Sequence, residues 1–178
     1  MLLEIVMAQL FGVVALVLIC LSYFCKTKSI FHILQTCADA FYGCAYFFVN
    51  SYVAGFITLV SAMRCAYLFF AEKYNFKYTY HFLSVFILGY VVMTIVFWKS
   101  WTDIIPLCTS ILFTIAYAVK DLQKLRYLSL IPNIILIGFN IYSFTFVSAI
   151  LDLMEVIIIV IAIIKFKKSG GNKVLVDK

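Results

Sequence analysis

The sequence predicts an all-α membrane protein. It should have seven transmembrane helices in two parallel triplets joined by a linker helix, with the N-terminus outside and the C-terminus in the cytoplasm. Three observations predict this. Hydrophobic residues fill 66% of the 178 positions and charged residues 12%, whereas a soluble domain is about half apolar and about a quarter charged. A soluble fold of this length leaves too much surface in water to hide that much apolar area. The apolar residues also fall into seven runs, most close to the roughly 20 helical residues that cross a bilayer core about 30 Å thick. Finally, the basic residues collect in every second gap between those runs.

The runs place helices over 3–24, 30–48, 51–71, 80–98, 102–119, 126–143 and 146–165. The first starts at Leu2 without a basic leader. It ends at Phe24 before Cys25-Lys26 rather than at a small-residue cleavage site, so it reads as a retained helix. Short connections make consecutive helices antiparallel. Residues 1–166 form one transmembrane domain: a first triplet over 3–72, the linker helix over 80–98 and a second triplet over 102–166. Residues 167–178 read as a flexible basic cytoplasmic tail.

Orientation follows from the cations. One side holds Lys26, Lys28, Lys73, Lys77, Lys120, Lys124, Arg126, Lys165, Lys167, Lys168, Lys173 and Lys178, while the other holds Lys99. Cytoplasmic loops carry such an excess. The same placement argues that the net charge of +6 serves topology, and no nucleic-acid partner is expected. Trp98 and Trp101 flank the longest external connection. They suit headgroup anchoring or a lid over an external entrance.

An internal recurrence divides the seven runs. Asn50 and Tyr52 match Asn140 and Tyr142 at an offset of ninety, and Phe56 and Thr58 match Phe146 and Ser148. Both stretches are expected at external turns, where Asn50, Tyr52, Asn140 and Tyr142 would pin the ends of the repeats. An odd linker helix between two triplets makes the repeat parallel.

Four charges fall well inside the runs, away from their ends: Asp39, Arg64, Asp152 and Glu155. Each costs at least about 2.5 kcal/mol at the centre of a spanning helix, so each must face protein or water and find a partner. At about 1.5 Å of rise per residue, Arg64, Asp39 and Glu155 reach similar depths. Asp152 stands one turn from Glu155 on the same face. Arg64 is therefore expected to pair with Asp39 or Glu155. The layer is either a structural ion pair or the lining of a cavity, and Asp152 is its surplus charge. Gln35, Asp39, Tyr42 and Tyr46 share one helix face, and Asn133 follows Pro132. Pro106 and Pro132 are candidate hinges, since proline frees a carbonyl and bends a helix; packing detail is the alternative.

The remaining signals exclude more than they assign. Six cysteines without a CxxC pair read as reduced thiols packed among apolar residues. His32 and His81 lack companions at metal spacing, so no metal is assigned. There is no phosphate loop, nucleophile elbow or HExxH, hence no enzyme and no cofactor are expected.

The stretch from Asp39 to Lys73, with its aromatic turn and Ser61-Ala62-Met63-Arg64, resembles the YgjV family of bacterial inner-membrane proteins. So does Tyr142 to Phe166, with Ser148, Ile150 and Asp152 at alternate positions. The resemblance implies a multi-pass protein of the bacterial cytoplasmic membrane. It also implies kinship with three-plus-one-plus-three helix proteins: SWEET facilitators, PnuC transporters, PQ-loop transporters and the ER retention receptor. The chain lacks a Pro-Gln pair at its bend and the tryptophans that would clamp a nicotinamide ring. The implied activity is transport of a small polar metabolite; the charges inside the runs then place its binding layer near the midplane between the two triplets, at Asp39, Arg64, Asn133, Asp152 and Glu155. A receptor, chaperone or complex subunit on the same bundle is the alternative. The expected partners are the lipid bilayer, a small-molecule substrate, and either a second copy or a membrane-complex partner.

Overall fold

A computed structural model describes residues 2–48, 52–74, 79–98, 101–142 and 146–168. Within them the chain forms α1 (Leu2–Tyr23), α2 (Lys28–Phe48), α3 (Tyr52–Lys73), α4 (Thr79–Val96), a 3-10 turn (Trp101–Asp103), α5 (Ile104–Ala118), α6 (Leu122–Tyr142) and α7 (Phe146–Lys168). No strand occurs among the described residues. Among the described residues, three helices contain a stretch long and apolar enough to cross a membrane: Val6–Tyr23, Gly55–Lys73 and Leu122–Tyr142. Asn50, Lys77, Lys99, Lys173 and Lys178 lie outside the described residues, as does most of the tail, and the Tyr52 side chain is not described.

Helix α6 starts four residues before the expected boundary at Arg126, because the charged stretch after Lys120 is a capped helix start. The Asp121 carboxylate accepts from the Gln123 amide at 2.8 Å and the Lys124 amide at 3.5 Å. Such a cap satisfies donors that the first turn leaves orphaned. Arg126 is thereby drawn into the helix and buried. It is not the loop cation that its neighbours suggest. Lys167 and Lys168 likewise belong to α7 rather than to a flexible tail.

The main contacts trace a ring. α1 packs on α2, α2 on α3, α3 on α5, α5 on α6, α6 on α7, and α7 back on α1, while α4 bridges α3 and α5. Helix bounds recur in register around it. Lys28–Phe48 and Leu122–Tyr142 start and end 94 residues apart, and so do the starts of α3 and α7 at Tyr52 and Phe146. Burial recurs at the same spacing: Tyr23 with Tyr117, Phe31 with Leu125, His32 with Arg126, Gln35 with Ser129, and Cys65 with Ile159 are all buried pairs. This corrects the offset of ninety. A four-residue slip is about one helical turn and keeps the same face inward, so a few local matches cannot separate the two registers. As a result Asn140 and Tyr142 sit in the last turn of α6, not in a turn between helices.

The bundle sets buried polar residues among an apolar core and is apolar on its outside. Ser22, His32, Gln35, Arg64, Thr109, Thr114, Arg126, Ser129 and Asn133 are buried, while Val13, Val17, Val85, Leu88, Ile95, Ile157 and Ile164 are exposed. An apolar exterior of this extent needs an apolar surrounding. Trp98 and Trp101 meet edge to face at 5.6 Å, with Trp101 80% exposed.

Close backbone approach decides two positions. A Cβ at Gly43 would lie 3.0 Å from Leu59 Cδ2 and 3.2 Å from Leu59 Cγ, where α2 meets α3, whereas at Gly138 it would meet nothing within 4 Å. Glycine costs a helix interior up to about 1 kcal/mol relative to alanine. Gly138→Ala should therefore raise thermal stability in detergent by a few tenths to about 1 kcal/mol. Gly43→Ala should gain nothing or lose, because the methyl displaces Leu59. Equal gains at both positions would contradict the α2–α3 packing.

Candidate functional site

Arg64 is the residue whose surroundings differ most from expectation. No ion pair joins it to Asp39 or Glu155 among the described residues; the pair found there is Lys28 Nζ with Glu72 Oε2 at 3.1 Å. Arg64 Nη1 donates instead to Thr114 Oγ1 at 2.9 Å and to the Ser110 carbonyl at 3.5 Å, and Nη2 to Cys65 Sγ at 3.7 Å. The thiol hands the link on, donating to Asp39 Oδ2 at 3.7 Å. The guanidinium also lies over the Tyr117 ring, 5.0 Å from its centroid. The physical reason is the ring itself. Helix α5 packs on α3 and brings Ser110, Thr114 and Tyr117 to Arg64 at four- and three-residue spacing, one face of a helix. The planar fork has several donors to place, and these acceptors are nearer than a carboxylate.

Glu155 is held by neutral donors. Its Oε1 accepts from Tyr23 Oη at 3.0 Å and from Asn133 Nδ2 at 3.1 Å. Asp152, one turn away on α7, accepts from Asn140 Nδ2 at 2.6 Å through Oδ2. Facing asparagines on α6 thus serve successive carboxylates on α7. The four charges form one guanidinium–thiol–carboxylate chain and two amide-held carboxylates, not a single ion-paired layer. What joins them is aromatic: Phe31 meets Tyr23 edge-on at 5.6 Å and Tyr117 at 5.1 Å.

The prolines differ in role. Pro132 lies inside α6, buried beside Asn133. Pro106 is the third residue of α5. In a first turn its missing N–H costs no helical bond, which removes the basis for a hinge there.

Sequence reasoning missed four participants: Tyr23, Tyr117, Cys65 and Thr114. Tyr23 and Tyr117 stand 94 residues apart and are both buried, a relation that only the structure reveals. Cys65 and Thr114 carried no signal, because an apolar run disguises both. At the end of the bundle near Tyr23, Arg126 donates from Nε to the Tyr23 carbonyl at 3.0 Å, from Nη2 to the Cys25 carbonyl at 2.7 Å, and from Nη1 to Gln123 Oε1 at 2.8 Å. It closes the C-terminus of α1, whose last carbonyls have no helical partner.

An apolar exterior around a core that carries buried polar groups and carboxylates agrees with the family comparison. A family model described as bacterial inner membrane protein (Imp-YgjV) matches residues 6–170. The chain belongs to this family. No curated protein and no solved structure matches it. The Imp-YgjV match spans all seven helices but for the first residues of α1. It places the protein in the bacterial inner membrane, and the site described above falls wholly within it.

Proposed function

We propose that this Imp-YgjV protein is a transporter or facilitator of a small polar metabolite. The binding layer lies between helices α1–α3 and α5–α7. The observation that carries the reading is the pair of carboxylates on α7. Among the described residues Glu155 and Asp152 accept only from neutral side chains, and a carboxylate within a membrane without a cation marks a substrate or ion path. In this reading all seven helices span the bilayer, the basic ends face the cytoplasm, and the N-terminus is outside. The two triplets are parallel repeats, as in SWEET-like proteins. The recurrence of helix bounds and burial at 94 residues, together with the matched α3–α5 and α7–α1 contacts, supports the repeat.

One observation favours a second reading, a receptor, chaperone or complex subunit on the same bundle. Tyr23, Phe31, His32 and Tyr117 pack ring against ring at its centre, as a filled core would.

Uptake into proteoliposomes and thermal shift of the purified protein, both against metabolite pools, separate the readings. A component that is accumulated and stabilises the wild type, with loss of both effects in Asp152→Asn and Arg64→Ala, is the expected result. If no component stabilises the wild type and both variants match it, the transport reading fails.

A further inference from the structure

The interior holds donors that the protein itself leaves unused. His32 is 0% exposed and neither ring nitrogen has a hydrogen-bond partner. Arg64 is 3% exposed and its Nε is also without one. Both groups stand on one residue: the His32 ring centroid is 6.4 Å from that of Tyr117, and the Arg64 guanidinium carbon is 5.0 Å from it. A buried donor left unsatisfied costs about 1–3 kcal/mol, and two such residues on one ring point to something that fills the place between them.

The charge says what it is. The other Arg64 donors go to a hydroxyl, a carbonyl and a thiol, and Asp39, though near enough to attract the guanidinium, is hydrogen-bonded to it only across that thiol. Lys28, one turn before His32 on α2, is already paired with Glu72. A guanidinium in a low-dielectric interior needs a counter-charge as well as acceptors. Water supplies the second and not the first; an oxyanion supplies both, and guanidinium geometry matches a carboxylate or phosphate. The 94-residue counterpart of His32 shows the contrast. Arg126 is equally buried, but each of its three donor nitrogens is engaged at the end of α1.

We propose that His32 and Arg64, set on Tyr117, form the subsite that takes the oxyanion of a small carboxylate or phosphate compound. This rests on the transport reading for the cargo's passage, but not for its binding. The chain has two histidines, so ring signals report the site directly. The test uses full-length protein labelled with isotopic histidine, in nanodiscs, titrated with succinate, inorganic phosphate, glucose and choline. His81→Gln assigns the spectrum.

Succinate or phosphate should move the His32 signals saturably, leave His81 unmoved, and be matched by neither glucose nor choline. Which of the two acts identifies the carboxylate or phosphate class. Arg64→Lys, which keeps the charge and loses Nε, should raise the half-saturating concentration at least about tenfold. Its histidine spectrum in the absence of anion reports whether it is folded. The proposal is overturned if neither anion moves His32 at about 50 mM, far above millimolar binding. It is also overturned if glucose or choline acts equally, or if folded Arg64→Lys titrates like the wild type. Saturable binding without proteoliposome uptake would leave the subsite standing and end the transport reading. Uptake of a cargo that leaves His32 unmoved would do the reverse.

Discussion

Replacing Arg126 with alanine is expected to destabilise the bundle by about 3–5 kcal/mol, the largest stability loss of any single substitution considered. Each hydrogen bond to a charged group contributes about 1.5–3 kcal/mol, and Arg126 makes three, to Tyr23 O, Cys25 O and Gln123 Oε1. Its guanidinium also lies 4.2 Å from the Phe166 ring centroid, an attraction of about 0.5–2 kcal/mol. The sum exceeds the expected loss because such terms are not independent. Gln123 extends the damage, since its Nε2 donates to the Ile163 carbonyl at 3.1 Å. The side chain therefore ties α1, α6 and α7 together where the chain would otherwise fray. Denaturant titration in mixed micelles measures the loss. Arg126→Lys should recover less than half of it, because an ammonium cannot reach three acceptors in a plane. A loss below about 1 kcal/mol, the size of a single ordinary hydrogen bond, would show that Arg126 does not hold the end of α1.

Exchanging Glu155 for glutamine should have a large functional effect at little structural cost. The glutamine oxygen can still accept from Tyr23 and Asn133, so the two contacts to Oε1 survive and only the charge is lost. If Glu155 carries a proton, a cation or the cationic part of a substrate, uptake falls at least about tenfold, or about 1.4 kcal/mol of coupling. Thermal stability stays near that of the wild type. Undiminished uptake by Glu155→Gln would demote Glu155 to a hydrogen-bond acceptor in the packing of α1, α6 and α7. Asp152→Asn is the matching exchange one turn away, where the donor found among the described residues is Asn140.

Much of the fold was legible in the chain because it depends on local quantities. The run from Leu2 to Phe24 and the helix found over Leu2–Tyr23 agree closely, since hydropathy and the absence of proline act residue by residue. The start of α6 was less legible. Lys120 to Arg126 reads as loop by charge, whereas Asp121 capping the amides of Gln123 and Lys124 makes it helix. Asn133 and Glu155 were both named from the sequence, and the structure brings them to 3.1 Å. The partner of Arg64 was not legible. Its depth matched Asp39 and Glu155, but depth is one coordinate of three, and the packing of α3 on α5 delivered Thr114 and Tyr117 first. His32 was set aside as a lone histidine near a helix start, and nothing in its neighbours hints that both its nitrogens would be enclosed without a partner.

The sequence by itself determined that the protein belongs in a membrane, where most of its helices run, and that Asp39, Arg64, Asp152 and Glu155 lie inside them. These follow from the cost of placing each side chain in lipid or water, a sum over single residues. Only the tertiary structure decided the 94-residue register, the thiol between Arg64 and Asp39, the neutral donors on Glu155, and the meeting of His32 and Arg64 on Tyr117. Those depend on which helix faces which, and an α-helix presents several faces whose order around a ring is set by packing between distant segments.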